Sequence, residues 1–335
     1  MKIIKEHSNI NYNKKNFDKL ALKYHKKYGI MTYSCTLAIA SILEYENFQD
    51  YILIPNNACF RVILPLIKNN KKIILINPKN GFFVTSQEYI DCLKYYKDKN
   101  IKISAIIIAY VDGVVINSKQ IRKIFKGIII EDISLIVNGK QIGLYSDYVV
   151  TSFGSYKAIE LGYGGAIYTN IVDLAKIFDF EDYTGSIFLP YVFQKRINIP
   201  IQKYYDIAQS NNNKYHKKVD ELMKIKNKDI IKELDFIGNN YQDCFCNKFY
   251  FTVKRNNYDR VIEILKKDNI IYSTAKEYMI SEYEVVKKYN DKIIFNEECK
   301  KNKKIIIRVD ETRNNSIKKF VKDINKMGVW IWKLI

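Results

Sequence analysis

The chain has 335 residues, 47% hydrophobic and 27% charged, with a net charge of +19. That length holds one large domain with a smaller companion around ample buried core, and the composition excludes a disordered or fibrous chain. The longest apolar stretch, Ala105–Val111, is far short of the ~20 residues that a membrane-spanning helix needs, and the opening MKIIKEHSNINYNKKN is polar, so the chain reads as soluble and cytoplasmic.

In chain order, the first half alternates β-branched apolar runs with helical patterns. Strands are expected at Tyr51–Ile54, Lys72–Ile76, Ile103–Tyr110, Gly127–Glu131, Asp147–Ser152 and Gly165–Thr169. Runs so rich in isoleucine and valine suit strands buried on both faces. Helical patterns fall between them, at Thr36–Tyr45 and Ser118–Phe125. The alternation argues α/β with a largely parallel sheet.

After about Asn170 the texture changes. Asp173–Phe180 and Ile201–Ile225 read as polar helices. Lys248–Lys254, Ile270–Ser273 and Lys304–Val309 read as strands, with helices at Asn257–Lys267 and Ser316–Met327. This suggests a large domain over residues 1–190, then linking helices and a small α+β domain over 191–335.

Charge and cysteines add little. Lysines occur in every segment, beside abundant Ile, Asn and Tyr, as an AT-rich genome produces. A phosphate-bearing small substrate fits the excess, whereas nucleic acid gains no support without a recognition motif. The six cysteines form no CxxC pair, so free thiols are expected and no metal site.

Three segments carry chemistry. Ser34-Cys35-Thr36 opens a predicted helix, where hydroxyl caps, free N–H groups and the helix dipole favour an anion. Ile128-Ile129-Ile130-Glu131-Asp132 is an apolar strand ending in two carboxylates, and ligands bind at such strand ends in parallel sheets. Thr151–Lys157, then Gly162-Tyr163-Gly164-Gly165, runs from a strand through a small-residue turn and a lysine into another strand. A lysine becomes a nucleophile where its surroundings lower its pKa.

Together, in this order, these segments resemble the DegT/DnrJ/EryC1/StrS family of sugar aminotransferases, which use pyridoxal 5'-phosphate (PLP) and have fold type I. The resemblance runs from about His25 to Asn170. The family's Gly-Asp before the lysine strand looks like Ser146-Asp147, and its proline-led loop looks like Pro55-Asn56-Asn57-Ala58-Cys59. The resemblance implies a fold-type-I transferase with a mainly parallel sheet and a smaller α+β C-terminal domain. Lys157 would carry the cofactor as a Schiff base and move a proton, and Asp132 would pair with the ring nitrogen. Ser34, Cys35, Thr36 and Ser152 would bind the phosphate. Cys59, or Phe60 in a shifted register, would take the ring-stacking place, and Asn198 or Arg196 would be the phosphate ligand from a partner subunit.

Two departures stand out: Leu135 replaces the family's glutamine, and Cys35 replaces a glycine, which requires a negative φ. Relatives with histidine at position 157 catalyse dehydration, so Lys157 favours amino transfer. The resemblance implies a homodimer with shared active sites that moves an amino group, from glutamate, to a keto-sugar that is nucleotide-linked, in polysaccharide biosynthesis. Two alternatives are a small phosphorylated ketone or amino-acid-like substrate on the same fold, and a non-catalytic binding relative.

Overall fold

A computed structural model describes residues 17–78, 83–137, 140–155, 157–162, 164–172, 205–210, 248–253, 258–267, 272–274, 279–295 and 305–310. The polar helix expected at Asp173–Phe180 and the helix expected at Ser316–Met327 lie outside these residues, as do Arg196 and Asn198; of the polar helix expected at Ile201–Ile225, only 205–210 is described, and it is helical.

An eight-stranded sheet forms the centre, in the order β1-β7-β6-β5-β4-β2-β3-β10. Its strands are β1 (Tyr28–Thr32), β2 (Tyr51–Pro55), β3 (Ile73–Ile76), β4 (Ile103–Ala109), β5 (Ile128–Asp132), β6 (Tyr148–Ser152), β7 (Gly165–Thr169) and β10 (Ile293–Phe295). Only β7 runs antiparallel to its neighbours; the other pairings are parallel. The six expected strands are all present. Two strands that were not expected, β1 and β10, close the two sides of the sheet. Three further strands, β8 (Lys248–Val253), β9 (Tyr272–Thr274) and β11 (Ile305–Asp310), make a separate antiparallel sheet.

Helices cover both faces of the large sheet, as parallel strands require. On one face α2 (Cys35–Glu46) and α3 (Phe60–Lys68) bury Ile39, Ile42, Leu43 and Ile63 against Ile52, Ile54, Ile107 and Val150. On the other, α1 (17–23), α4 (Ser86–Asp98) and α5 (Ser118–Ile124) bury Leu20, Tyr89 and Ile121 against Leu53, Ile106, Ile129 and Val149. Alternate strand residues thus feed opposite cores. Ser34 caps α2 by accepting from Leu37 N–H, and Thr85 with Glu88 forms a capping box on α4. Among the described residues no helix is long and apolar enough to cross a membrane.

The same alternation separates the two acids that end β5. Glu131 is completely buried on the α4–α5 side, where its Oε2 accepts from Gly143 N–H at 2.6 Å. Asp132 turns to the α2 side. Burial pushes the Glu131 carboxyl up, and this is only partly offset by Ser118, Gly143, Tyr110 and Lys26. Its folded pKa lies above the unfolded one. Its contribution to stability is therefore full below the ordinary glutamate range and is lost as pH rises through the folded value.

Glu131→Gln keeps the shape and never ionises. In urea unfolding it is expected to match the parent near pH 4 and to be more stable than the parent near pH 8. An equal loss of stability at both pH values would contradict this account of Glu131.

Candidate active site

The candidate site sits at the C-terminal ends of the parallel strands, where α/β sheets place ligands. Four chain reversals build it. β1 ends at Thr32 and leads through Ser34 into α2. β2 ends at Pro55 and leads through Cys59 into α3. β5 ends at Asp132, and β6 ends at Ser152 and leads to Lys157. β7 runs the other way, so its first residue, Gly165, lies between Thr32 and Ser152. That reversal brings the glycine run to the same rim.

Gly165 has no room for a side chain. A Cβ there would meet Cys35 N at 2.6 Å, Ser34 C at 2.6 Å and Thr151 O at 2.7 Å, all of them backbone atoms. The first turn of α2 therefore rests directly on β7. Gly162 and Gly164 have φ of 90° and 99°, in the left-handed region that glycine tolerates. Cys35 is not among the residues with positive φ, so its backbone meets the condition set by replacing a glycine.

The N–H groups of Cys35 and Thr36 take no hydrogen-bond partner among the described residues, while that of Leu37 is held by Ser34 Oγ. The Ser152 hydroxyl lies across Gly165 and accepts from Gly154 N–H at 3.2 Å, so its own proton is free to donate outward. Two open N–H groups, a helix dipole and a hydroxyl can together hold an anion. Burial pushes the Cys35 thiol up, with the charge of Asp132 adding to this, so the thiol stays neutral and sets no negative charge against an anion.

Lys157 occupies a loop pinned at both ends. Phe153 N–H donates to Gly164 O and Leu161 N–H to Phe153 O, both at 2.8 Å. Ala158, Ile159 and Leu161 are buried anchors, while Lys157 is half-buried and its Nζ makes no hydrogen bond or ion pair with a described residue. Asp132 is 8% exposed. Its Oδ1 accepts from Ser134 N–H at 3.0 Å and from the Ser134 hydroxyl at 2.6 Å. Its Oδ2 accepts from no described residue.

Acid and amine both lie near enough to Cys35 to act on its thiol. The Cys35 thiol contacts Ser134 and lies in the electrostatic field of Asp132, Lys157 and Cys59. Ser34, Cys35, Thr36, Cys59, Asp132, Ser152 and Lys157 therefore belong to one rim, while Asn198 lies outside the described residues. Phe60 is engaged elsewhere, stacked on Tyr283 at 4.2 Å between centroids. Cys59 is exposed and has no side-chain capping bond. Leu135, at the departed glutamine position, is half-buried.

Ser134 was not singled out in the sequence. Its signal was there: a serine two residues after an aspartate matches a turn in which the carboxylate accepts the N–H two positions on.

The DegT/DnrJ/EryC1/StrS aminotransferase family model matches residues 6–186. No curated protein matches the chain. Among solved structures, the chain is similar to PseC of Helicobacter pylori, an aminotransferase involved in the biosynthesis of pseudoaminic acid. That likeness has TM-score 0.67 and 14% identity, over 93% of this chain and 89% of that one. It is similar to a DegT DnrJ EryC1 StrS aminotransferase from Brucella abortus, with TM-score 0.64 and 14% identity over 93% and 89% of the two chains. It is also similar to NtdA from Bacillus subtilis with bound cofactor PMP, with TM-score 0.65 and 16% identity over 96% and 80%.

Gly165→Ala drives a methyl group into three backbone atoms. It is expected to cost about 2–3 kcal/mol of stability and to weaken cofactor binding, read by thermal melting and absorbance titration. Gly154→Ala is the control, since its Cβ would meet only Ser152 Oγ at 3.4 Å. Equal effects of the two substitutions would contradict the close approach.

Proposed function

Because the chain belongs to the DegT/DnrJ/EryC1/StrS aminotransferase family, and is thus a PLP-dependent aminotransferase, we propose that it moves an amino group from glutamate to a nucleotide-linked keto-sugar. The observation that carries the assignment of its site is that Asp132 ends β5 and Ser152, at the head of the Lys157 loop, ends the neighbouring β6, both on the rim where β7 meets the first turn of α2. PLP needs an acid for its ring nitrogen, an amine for its aldehyde and a cradle for its phosphate. The residues present fit all three: Asp132 with Oδ2 open, Lys157 with Nζ open, and the two N–H groups at α2.

When bound, PLP supplies an aldehyde that exchanges amines and a ring that takes up the electron pair of a broken C–H bond. The protein does the rest. The Cys35 and Thr36 N–H groups and the Ser152 hydroxyl hold the phosphate. Asp132 Oδ2 holds a proton on the ring nitrogen. Lys157 Nζ would be the amine that holds the aldehyde end and the base that moves the proton at the donor's carbon. Lysine at 157, rather than histidine, suits amino transfer over dehydration.

Two solved structures with the same fold support the substrate class. One is DesI in the presence of its TDP-sugar product. The other is a GDP-4-keto-6-deoxymannose-3-dehydratase with bound GDP-perosamine. The net charge of +19 suits a diphosphate substrate. The proposal extends to a role in polysaccharide biosynthesis and to a homodimer with shared sites, in which Asn198 or Arg196 reaches the partner's phosphate. It also includes the division into a cofactor domain over 1–190 and linking helices with a small domain over 191–335, from which residues 279–295 return to the large sheet through β10.

The test is turnover of PLP-loaded protein with a panel of amino donors and nucleotide-linked keto-sugars, following 2-oxoglutarate release from glutamate. The expected result is amino-sugar formation, with Lys157→Ala reducing turnover by about 10³-fold or more. Parent-like turnover by Lys157→Ala would remove the role given to that residue. Amino transfer only to small phosphorylated ketones would replace the sugar acceptor.

A further inference from the structure

We infer that Ser134 is a positioning residue: by donating both its hydroxyl and its N–H to Asp132 Oδ1, it turns Oδ2 toward the place of the cofactor's ring nitrogen. This rests on the role proposed for Asp132 and adds a residue to it.

The geometry is specific. Both donors of one residue converge on the same carboxylate oxygen, at 2.6 and 3.0 Å. Ser134 is itself 7% exposed, so water competes little for its hydroxyl. A carboxylate gripped at one oxygen loses its freedom to rotate, and the ungripped oxygen is left as the acceptor facing the site. The bond from a hydroxyl to an ionised acid belongs to the stronger class of hydrogen bonds.

Ser134 also reaches the other parts of the site. Its carbonyl accepts from Ala158 N–H at 3.4 Å, next to Lys157. Its side chain contacts the Cys35 thiol, at the first residue of α2. One small residue thus touches the acid, the lysine loop and the phosphate turn. The next residue, Leu135, offers no hydrogen bond from its side chain, so the polar contact on this stretch falls to Ser134.

The test compares Ser134→Ala, Ser134→Thr and Asp132→Asn with the parent. Two readouts other than turnover are used: the PLP dissociation constant by absorbance titration, and the ring-nitrogen signal of bound ¹⁵N-labelled PLP by NMR. Ser134→Ala is expected to keep the parent's melting temperature within a few degrees, to weaken PLP binding by about tenfold and to move the ring-nitrogen signal toward the unprotonated position. Ser134→Thr, which keeps the hydroxyl, is expected to stay near the parent in both.

A parent-like Ser134→Ala beside a shifted Asp132→Asn overturns the positioning role and leaves Asp132 in place. A parent-like Asp132→Asn removes the role of Asp132, and this one with it. Equal losses in Ser134→Ala and Ser134→Thr also overturn it, because disturbed packing rather than a lost hydroxyl would then be the cause.

Discussion

Where the Cα of Gly165 lies, any side chain would run into the backbone of Ser34, Cys35 and Thr151. This contact exists because β7 alone runs against its neighbours, so its start meets the ends of β1 and β6. Remove that reversal and the first turn of α2 and the lysine loop no longer share a rim. The left-handed glycines just before it, Gly162 and Gly164, let the chain double back after Lys157 and enter β7 at the right place.

The second constraint is parity in β5. A strand alternates its side chains, so adjacent acids cannot both face the site. Asp132 faces it; Glu131 is wholly buried on the far side, and burial drives its carboxyl toward the neutral form. A one-residue slip of β5 would exchange the two acids and bring Ile133 against the other core. The pairing of Asp132 with Ala109 and Val150 on the two flanking strands fixes the register.

Much of this was legible in the sequence. The six central strands were readable because each is a short run of β-branched residues between turn residues. The three chemical segments were readable because their order and spacing match a family pattern. The edges were harder. β1 is YGIMT, with a glycine and little β-branched content, and β10 is a three-residue pairing that comes from far along the chain. Nothing local distinguishes either from a loop; tertiary pairing makes them strands. The departures resolved in opposite ways. Cys35 is accommodated because its φ is not positive. The loss of glutamine at Leu135 leaves Ser134 as the polar neighbour of Asp132. That side chain was passed over because Asp-x-Ser is a common turn pattern, which acquires meaning only when the aspartate is buried at a site.

On the proposed reading, the open amine of Lys157 and the open oxygen of Asp132 serve the two ends of one bound ring. Borohydride reduction of PLP-loaded protein, followed by peptide mass spectrometry, decides it. The phosphopyridoxyl mass is expected on Lys157 alone, and in lower yield from Ser152→Ala at limiting PLP. Label on another lysine, with Lys157 unmodified, would contradict it.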